Sequence, residues 1–423
     1  MSTTFTKKLT DDKGRIYLRF DSIIIGAGAA GMMAAITAAR AGRKVAVFEK
    51  NDRIGKKLRI TGKGRCNVTN FCTRDEFMDN VPVNSRFMYS SFSAFTPQDV
   101  MDFFENAGVP LKVERGNRVF PVSDKAADIV SALDREMKKA GVKLVHETVK
   151  EIIVEDGVCC GIRTDRGEHN AQTVLVATGG ASYPLTGSTG DGYRFAEETG
   201  HTVTEIVPSL VPLETADDFC EKMSGLALKN VTLTLYDGNK KIYSELGEMS
   251  FMNYGVTGPL VLTASSRIRK MERGRYVLSI DLKPGLDEEK LDKRLLRDFT
   301  EMSSAEFKSV LVKLLPSKMI PVIVKRSGIS SVIKAGQISK EQRKGLVKLL
   351  KDFRLNVTDF RPVEEAIVTS GGVSIKEIDP KTMESKIVSG LFFAGEVIDV
   401  DGYTGGFNLQ IAFSTGYTAG MNI

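Results

Sequence analysis

Phe20-Asp-Ser-Ile-Ile-Ile-Gly-Ala-Gly-Ala-Ala-Gly31 is the stretch on which the fold turns. Its first half is a short apolar run, as expected of a strand covered on both faces in a parallel sheet. Its second half spells G-x-G-x-x-G with Gly26, Gly28 and Gly31, and opens residues 32–41, rich in helix formers and closed by Gly42. Lys44-Val-Ala-Val-Phe-Glu49 then supplies a second strand. Together these make one βαβ unit of about 30 residues. In that context the three glycines do different things. Gly26 permits the tight turn, Gly28 lets backbone approach a pyrophosphate, and Gly31 lets the helix close on the sheet. The unpaired N–H groups of the helix start, around Ala29 and Ala30, attract phosphate oxygens. Glu49, 23 residues after Gly26, is placed to accept hydrogen bonds from ribose hydroxyls and to repel a 2′-phosphate. The stretch predicts a dinucleotide site.

Two distant segments bear on which dinucleotide. Val176-Ala-Thr-Gly-Gly180, with Ala177, Thr178 and Gly179, resembles the A-T-G segment of FAD-binding two-domain flavoproteins. Leu391-Phe-Phe-Ala-Gly-Glu396 resembles the C-terminal strand whose Gly395 and Glu396 positions reach the ribityl and phosphate part of FAD in those proteins. Gly405-Gly-Phe-Asn-Leu-Gln410 then starts a helix, so that Gly405, Gly406, Asn408 and Leu409 would flank the flavin pyrimidine end, where N–H groups stabilise negative charge. A simple NAD dehydrogenase has no need of this return, and FAD is the expected cofactor.

At 423 residues the chain is long for one core. The reading is an α/β fold: a Rossmann-type FAD-binding domain split in sequence, with an inserted β-rich plus helical substrate domain. The expected boundaries are an N-terminal extension 1–19, FAD-binding domain 20–200, inserted domain 201–360 (β-rich 201–286, helical 287–360), and FAD-binding domain again over 361–423. Val231-Thr-Leu-Thr-Leu-Tyr236 followed by Asp237-Gly238 has the alternation and turn chemistry of an antiparallel hairpin.

Hydrophobic residues at 42% and charged residues at 26% are an ordinary globular balance. No run reaches the roughly 20 apolar residues of a membrane span, and residues 1–19 lack the apolar core of a secretory signal, so a cytoplasmic location is expected. Cys66, Cys72, Cys159, Cys160 and Cys220 form no C-x-x-C pair and His146, His169 and His201 are scattered, so neither a disulfide framework nor a metal site is expected. The formal charge is +6, and its distribution is uneven. Eight basic residues and one acid lie between Lys50 and Arg74, and nine basic residues and one acid between Lys313 and Lys348. Such clusters suit an anionic ligand, a pyrophosphate or a nucleic-acid backbone, or else form a solvated face.

The motifs Gly26–Gly31, Lys56-Lys57, Thr61-Gly-Lys-Gly-Arg-Cys-Asn-Val-Thr-Asn70, Val368-Thr-Ser-Gly-Gly-Val373 and 395–410 run through nearly the whole chain in order. In them the sequence resembles the BaiN/YhiN-like bacterial FAD-dependent oxidoreductases, whose FAD domain is of the fumarate-reductase type. The resemblance implies reduction of a carbon–carbon double bond. It suggests two unlike anionic substrates, a uridine in ribosomal RNA or an unsaturated steroid acid of the bile-acid pathway. Relatives read F-T-H-x-G-x-S-G-P where this chain has Phe251-Met-Asn-Tyr-Gly-Val-Thr-Gly-Pro259, so Asn253 replaces an ionisable histidine and offers no acid or base at neutral pH.

Within the stretch 61–70, Thr61, Gly62, Gly64, Arg65, Cys66 and Asn67 are candidate cofactor contacts, as are Lys50, Lys56 and Lys57. Lysines and Arg65 would meet phosphate, the flavin ring or an anionic substrate. Asn67 and Asn70 would satisfy flavin carbonyl and N–H groups or cap local turns. Cys66 either packs on the ring or donates a proton, and its basic neighbours would favour the thiolate. Cys66, Arg65 and Asn253 are the catalytic candidates. No second G-x-G-x-x-G is present, so NADH or NADPH would bind transiently as reductant. No stable protein partner is inferable. A flavin amine oxidase and an RNA- or protein-binding module with a structural flavin are the competing readings.

Overall fold

The computed structural model describes residues 20–268 and 270–423, with the backbone of 9–10 and 16–17. The expected extension 1–19 lies outside the described residues apart from those two short strands. The chain divides into two compact units, one running up to Pro208 and resuming over Ile367–Ile423, the other Ser209–Ala366.

In the first unit, β1 (Phe20–Ile25) enters the glycine loop, α1 (Ala29–Arg40) follows, and β2 (Val45–Phe48) lies beside β1. β3 (Thr69–Asn70), β4 (Leu111–Glu114) and β5 (Arg118–Pro121) form a small antiparallel sheet in the order β3–β5–β4. Then come α2 (Ala126–Lys139), β6 (Lys143–Val145), β7 (Val149–Glu155), β8 (Val158–Thr164) and β9 (Glu168–Val176). The main sheet has the order β6–β2–β1–β9–β8–β7. The β6, β2, β1 and β9 pairings are parallel, and β8 and β7 continue antiparallel from the first half of β9. Its parallel strands are near-continuous apolar runs because both faces are covered.

In the second unit, β10 (Leu213–Thr215), β11 (Ala227–Asp237), β12 (Lys240–Met252), β13 (Gly255–Thr257) and β14 (Tyr276–Asp281) are followed by α3 (Glu288–Glu301), α4 (Ile320–Ser327) and α5 (Lys340–Lys351). β15 (Phe353–Phe360) then closes a six-stranded barrel, β10–β13–β12–β11–β14–β15, back onto β10. The hairpin at Asp237-Gly238 is present, with Asp237 opposite Lys240. Residues 353–360, read from sequence as helical, are corrected to strand. Phe353, Leu355 and Val357 alternate inward with outward Arg354 and Asn356, a period of two that begins one residue after α5 with no glycine or proline to mark the change.

The chain returns to the first unit with β16 (Leu391–Phe393), parallel to the second half of β9, and ends in α6 (Phe407–Asn422). α1 and α6 are apolar nearly all round because each is buried on most sides. They cross closely: a Cβ on Gly416 would lie 2.4 Å from the Ala30 carbonyl oxygen, and one on Gly420 2.6 Å from that of Ala34. Among the described residues no helix is long and apolar enough to cross a membrane.

Candidate functional site

The site grows from the loop between β1 and α1. Gly26 has φ +103°, and a Cβ there would sit 2.6 Å from the Ala177 carbonyl oxygen, so the loop presses on the end of β9. A Cβ on Gly31 would lie 2.0 Å from the Gly26 carbonyl oxygen. Gly28 differs. It is extended, caps α1 without any side-chain cap, and a Cβ there would meet nothing within 4 Å. Two glycines therefore serve the protein's own packing, and the third fronts open space at a helix N-terminus.

Glu49 is buried at the end of β2. One carboxylate oxygen accepts from the Ala27 N–H at 2.9 Å and the other from the Asn51 N–H and side-chain amide at 2.8 and 2.7 Å. It thus clamps the glycine loop while Oε2, which accepts a single hydrogen bond, retains a lone pair for a ribose hydroxyl.

The loop 61–70 is held in unusual backbone. Gly62, Lys63, Gly64 and Cys66 all have positive φ, at 56°, 58°, 84° and 61°. Two non-glycine residues in the left-handed region within four positions mark stored strain of the kind found at ligand sites. The loop is secured against α6. The Thr69 hydroxyl donates to the side-chain amide oxygen of Gln410, and the Asn70 amide donates to the Gly405 and Gly116 backbone carbonyls at 2.9 Å each. A Cβ on Gly406 would lie 2.4 Å from Thr69 backbone. Asn408 is taken by Gly402, to and from which it bonds at 2.6 and 2.8 Å, and Leu409 is half-buried. Asn70 is therefore the turn-capping residue. Asn67 retains a buried Oδ1 without a partner.

The basic candidates meet protein carboxylates. Lys50 pairs with Asp191 at 2.6 Å, Lys56 with Asp52 at 2.7 Å, and Lys57 with Glu396 at 2.6 Å. Arg65 pairs with Glu114 and Asp124 and lies 4.1 Å over the Phe120 ring. Those two carboxyls sit below their ordinary range, Glu114 chiefly through Arg65 and Asp124 through Lys112 and Arg65. Glu396 also accepts from the Ser182 hydroxyl and the Thr369 N–H at 3.2 and 2.9 Å, joining four separate segments. Ser182 was missed by sequence reasoning, since a lone serine two residues past Gly180 carries no motif signal. Gly179 and Thr178 lie at the end of β9, and Gly395 is in contact range of Ala30 on α1.

Cys66 is corrected. It is fully buried in the core of this unit, and desolvation pushes its thiol up to about 12, so the thiolate expected from its basic neighbours does not form. Asn253 lies in the second unit, exposed in the two-residue turn between β12 and β13. Among the described residues no group of three or more His, Cys, Asp or Glu gathers as a metal site.

The open space at Gly28, the uncapped N-termini of α1 and α6 and the orphaned Asn67 Oδ1 fit a dinucleotide laid along the strand ends of this sheet. Fold and site define an FAD-dependent oxidoreductase. The HI0933-like protein Rossmann domain family matches residues 20–422, and the chain belongs to it. It is 32% identical to a 3-dehydro-bile acid delta(4,6)-reductase of Clostridium scindens, over 94% of this chain and 97% of that one. It is 33% identical to a ribosomal RNA dihydrouridine synthase of Haemophilus influenzae, over 95% and 98%, and 30% identical to one of Escherichia coli, over 96% and 98%. A 3-ketosteroid delta1-dehydrogenase structure from Sterolibacterium denitrificans superposes with a TM-score of 0.51 at 14% identity, over 95% of this chain and 98% of that one, a likeness of fold.

Proposed function

We propose that this protein uses NADH or NADPH to reduce a carbon–carbon double bond, and that the bond belongs to a uridine in ribosomal RNA. The observation that carries the RNA reading is the segregation of charge. The unit Ser209–Ala366 holds 27 basic and 21 acidic residues, and the rest of the chain 32 of each. The whole excess of +6 thus belongs to the inserted unit, and within it to residues 287–352, with 15 basic and 9 acidic. A steroid carboxylate asks for one cation, whereas a nucleic-acid backbone meets many.

The balance of the reaction is simple. The nicotinamide gives up a hydride and leaves oxidised, and that hydride and one proton saturate the two carbons of the uridine double bond. The chemistry that bound FAD supplies is two-electron transfer between nicotinamide and substrate. In this reading the N-terminus of α1 at Gly28 takes the pyrophosphate and Glu49 the ribose. Asn67 Oδ1 would accept from an N–H of the bound cofactor, and the N-terminus of α6 would stabilise negative charge on it. The Lys57–Glu396–Ser182 network and the Arg65 ion pairs position these loops. Cys66 packs.

The bile-acid reading stands second, supported by the Clostridium relative. An anaerobic titration with NADH and NADPH, followed by unmodified ribosomal RNA or an unsaturated bile-acid intermediate, tests the proposal. Flavin bleaching by a nicotinamide and reoxidation by RNA alone is expected. Reoxidation by the steroid alone moves the assignment to the second reading. Oxygen consumption with a small amine, or flavin that no nicotinamide reduces, overturns both.

A further inference from the structure

We infer that the exposed lysine face of α5 is the surface on which the inserted unit docks an RNA backbone; this rests on the RNA reading above. Five of the nine cations between Lys313 and Lys348 are engaged within the unit, and a sixth, Lys334, is exposed outside α5. Lys313 pairs with Glu301, Lys325 with Asp218 and the buried Arg343 with Asp292. Lys318 donates to the Ser224 carbonyl at 2.8 Å, and Arg326 lies over the Phe353 ring at 4.3 Å and donates to the Arg354 carbonyl. Lys340, Lys344 and Lys348 are different. All three are exposed, and none has an ion-pair partner among the described residues.

Their spacing makes them a surface. At i, i+4 and i+8 they form one exposed stripe of a twelve-residue helix that is anchored through buried Leu346, Val347 and Leu350. They span about 12 Å along the axis, enough to follow successive phosphates of one strand. The helix is locked in place, because Ser339 caps it in a capping box and Arg343 bonds Asp292 through two nitrogens. The acids close to the face are already engaged: Asp292 by Arg343, and Glu341 by the Ser339 hydroxyl at 2.9 Å. What remains outward is three ammonium groups on a rigid rod, the pattern that binds phosphates without reading bases.

The test compares two variants that remove equal charge. One is Lys340→Gln/Lys344→Gln/Lys348→Gln. The control is Lys138→Gln/Lys139→Gln/Lys143→Gln, exposed lysines of the first, charge-neutral unit. Binding of the FAD-loaded full chain to in vitro-transcribed ribosomal RNA is followed by filter retention between about 50 and 300 mM salt, with FAD content and Tm as folding controls. Each phosphate contact contributes about 0.7–0.9 to the slope of log affinity against log salt. The α5 variant is expected to lose about 2–3 from that slope, and the control to keep the wild-type slope. Equal loss in both variants, or full slope in the α5 variant, overturns the docking face and leaves the RNA reading standing. A flat wild-type slope overturns both. Loss of binding to phosphatidylglycerol vesicles by the α5 variant, with its RNA slope unchanged, gives the face to a membrane surface and also overturns the inference.

Discussion

Replacing Gly28 by Ala separates the protein's own needs from those of its cofactor. A Cβ at this position meets no atom within 4 Å, and φ −89° with ψ −170° suits alanine. Losing a glycine from the unfolded chain stabilises by about 0.4–1 kcal/mol. Losing a glycine N-cap costs about 0.5–1 kcal/mol, so the two roughly cancel. The apoprotein Tm should therefore stay within about 2 °C of wild type. FAD binding should not survive unchanged, because the methyl stands where the pyrophosphate approaches the α1 N–H groups. Hydrogen bonds to a charged group are worth about 1.5–3 kcal/mol, which converts to a rise of roughly 10- to 100-fold in Kd. At a FAD concentration about 100 times the wild-type Kd, ligand stabilisation of about 2.7 kcal/mol would fall to about 0.4–1.4 kcal/mol. At about 2–4 °C per kcal/mol the FAD-induced Tm shift shrinks by about 3–9 °C. The assay is a pair of melting curves with and without FAD, plus a fluorescence titration for Kd. A wild-type Kd and shift in Gly28→Ala would contradict the placement of the pyrophosphate at this loop. Gly31→Ala is the contrast: its methyl would overlap the Gly26 carbonyl, so the apoprotein itself should lose about 2–3 kcal/mol.

Gly416→Ala should destabilise the first unit by about 1–3 kcal/mol in urea, since α6 must move off the Ala30 carbonyl; Gly345→Ala, with nothing within 4 Å on α5, should gain about 0.5–1 kcal/mol. Lys57→Met should cost about 1–3 kcal/mol by leaving Glu396 to Ser182 and Thr369 alone, and adding Glu396→Gln should recover part of it; additive losses would show that the pair is not coupled. The Cys66 thiol is raised from 9.0 to about 12, so above pH 9 the unfolded chain holds fewer protons than the native one and stability falls as pH rises toward 12. That limb is worth up to about 1.4 kcal/mol per pH unit for one thiol and should flatten in Cys66→Ala, while iodoacetamide at about pH 8 should leave Cys66 unlabelled until the protein unfolds. Asn253→His, at an exposed turn, should leave Tm within about 2 °C; a larger fall would mean that the amide holds the turn.

The glycine loop, the parallel strands and the hairpin at Asp237-Gly238 were legible because each is a short-range matter of dihedral freedom and hydrophobic period. Closure of the barrel was not. β15 pairs with β10, strands separated by most of the inserted unit, and a single residue, Asp352, separates it from a helix. The cation clusters were visible as composition, yet their partners were not: Lys57 meets Glu396 across 339 positions, and Arg343 meets Asp292 across 51. The thiolate expected at Cys66 fails for the same reason. Its sequence neighbours are basic, but its environment is supplied by the core of its unit, and burial outweighs charges that are themselves paired.

Neighbouring residues were enough for the βαβ unit, for the placement of Gly26, Gly28 and Gly31, and for the split of one α/β domain by a β-rich insertion. Those features depend on the periods 2 and 3.6 and on where glycine alone can stand, both of which are local properties of the chain. Folding in three dimensions was needed to settle which glycine fronts open space, which amide of 61–70 is left without a partner, and which lysines face outward. Each of these depends on atoms brought together from distant positions, because hydrogen bonding and desolvation act through space and not along the chain.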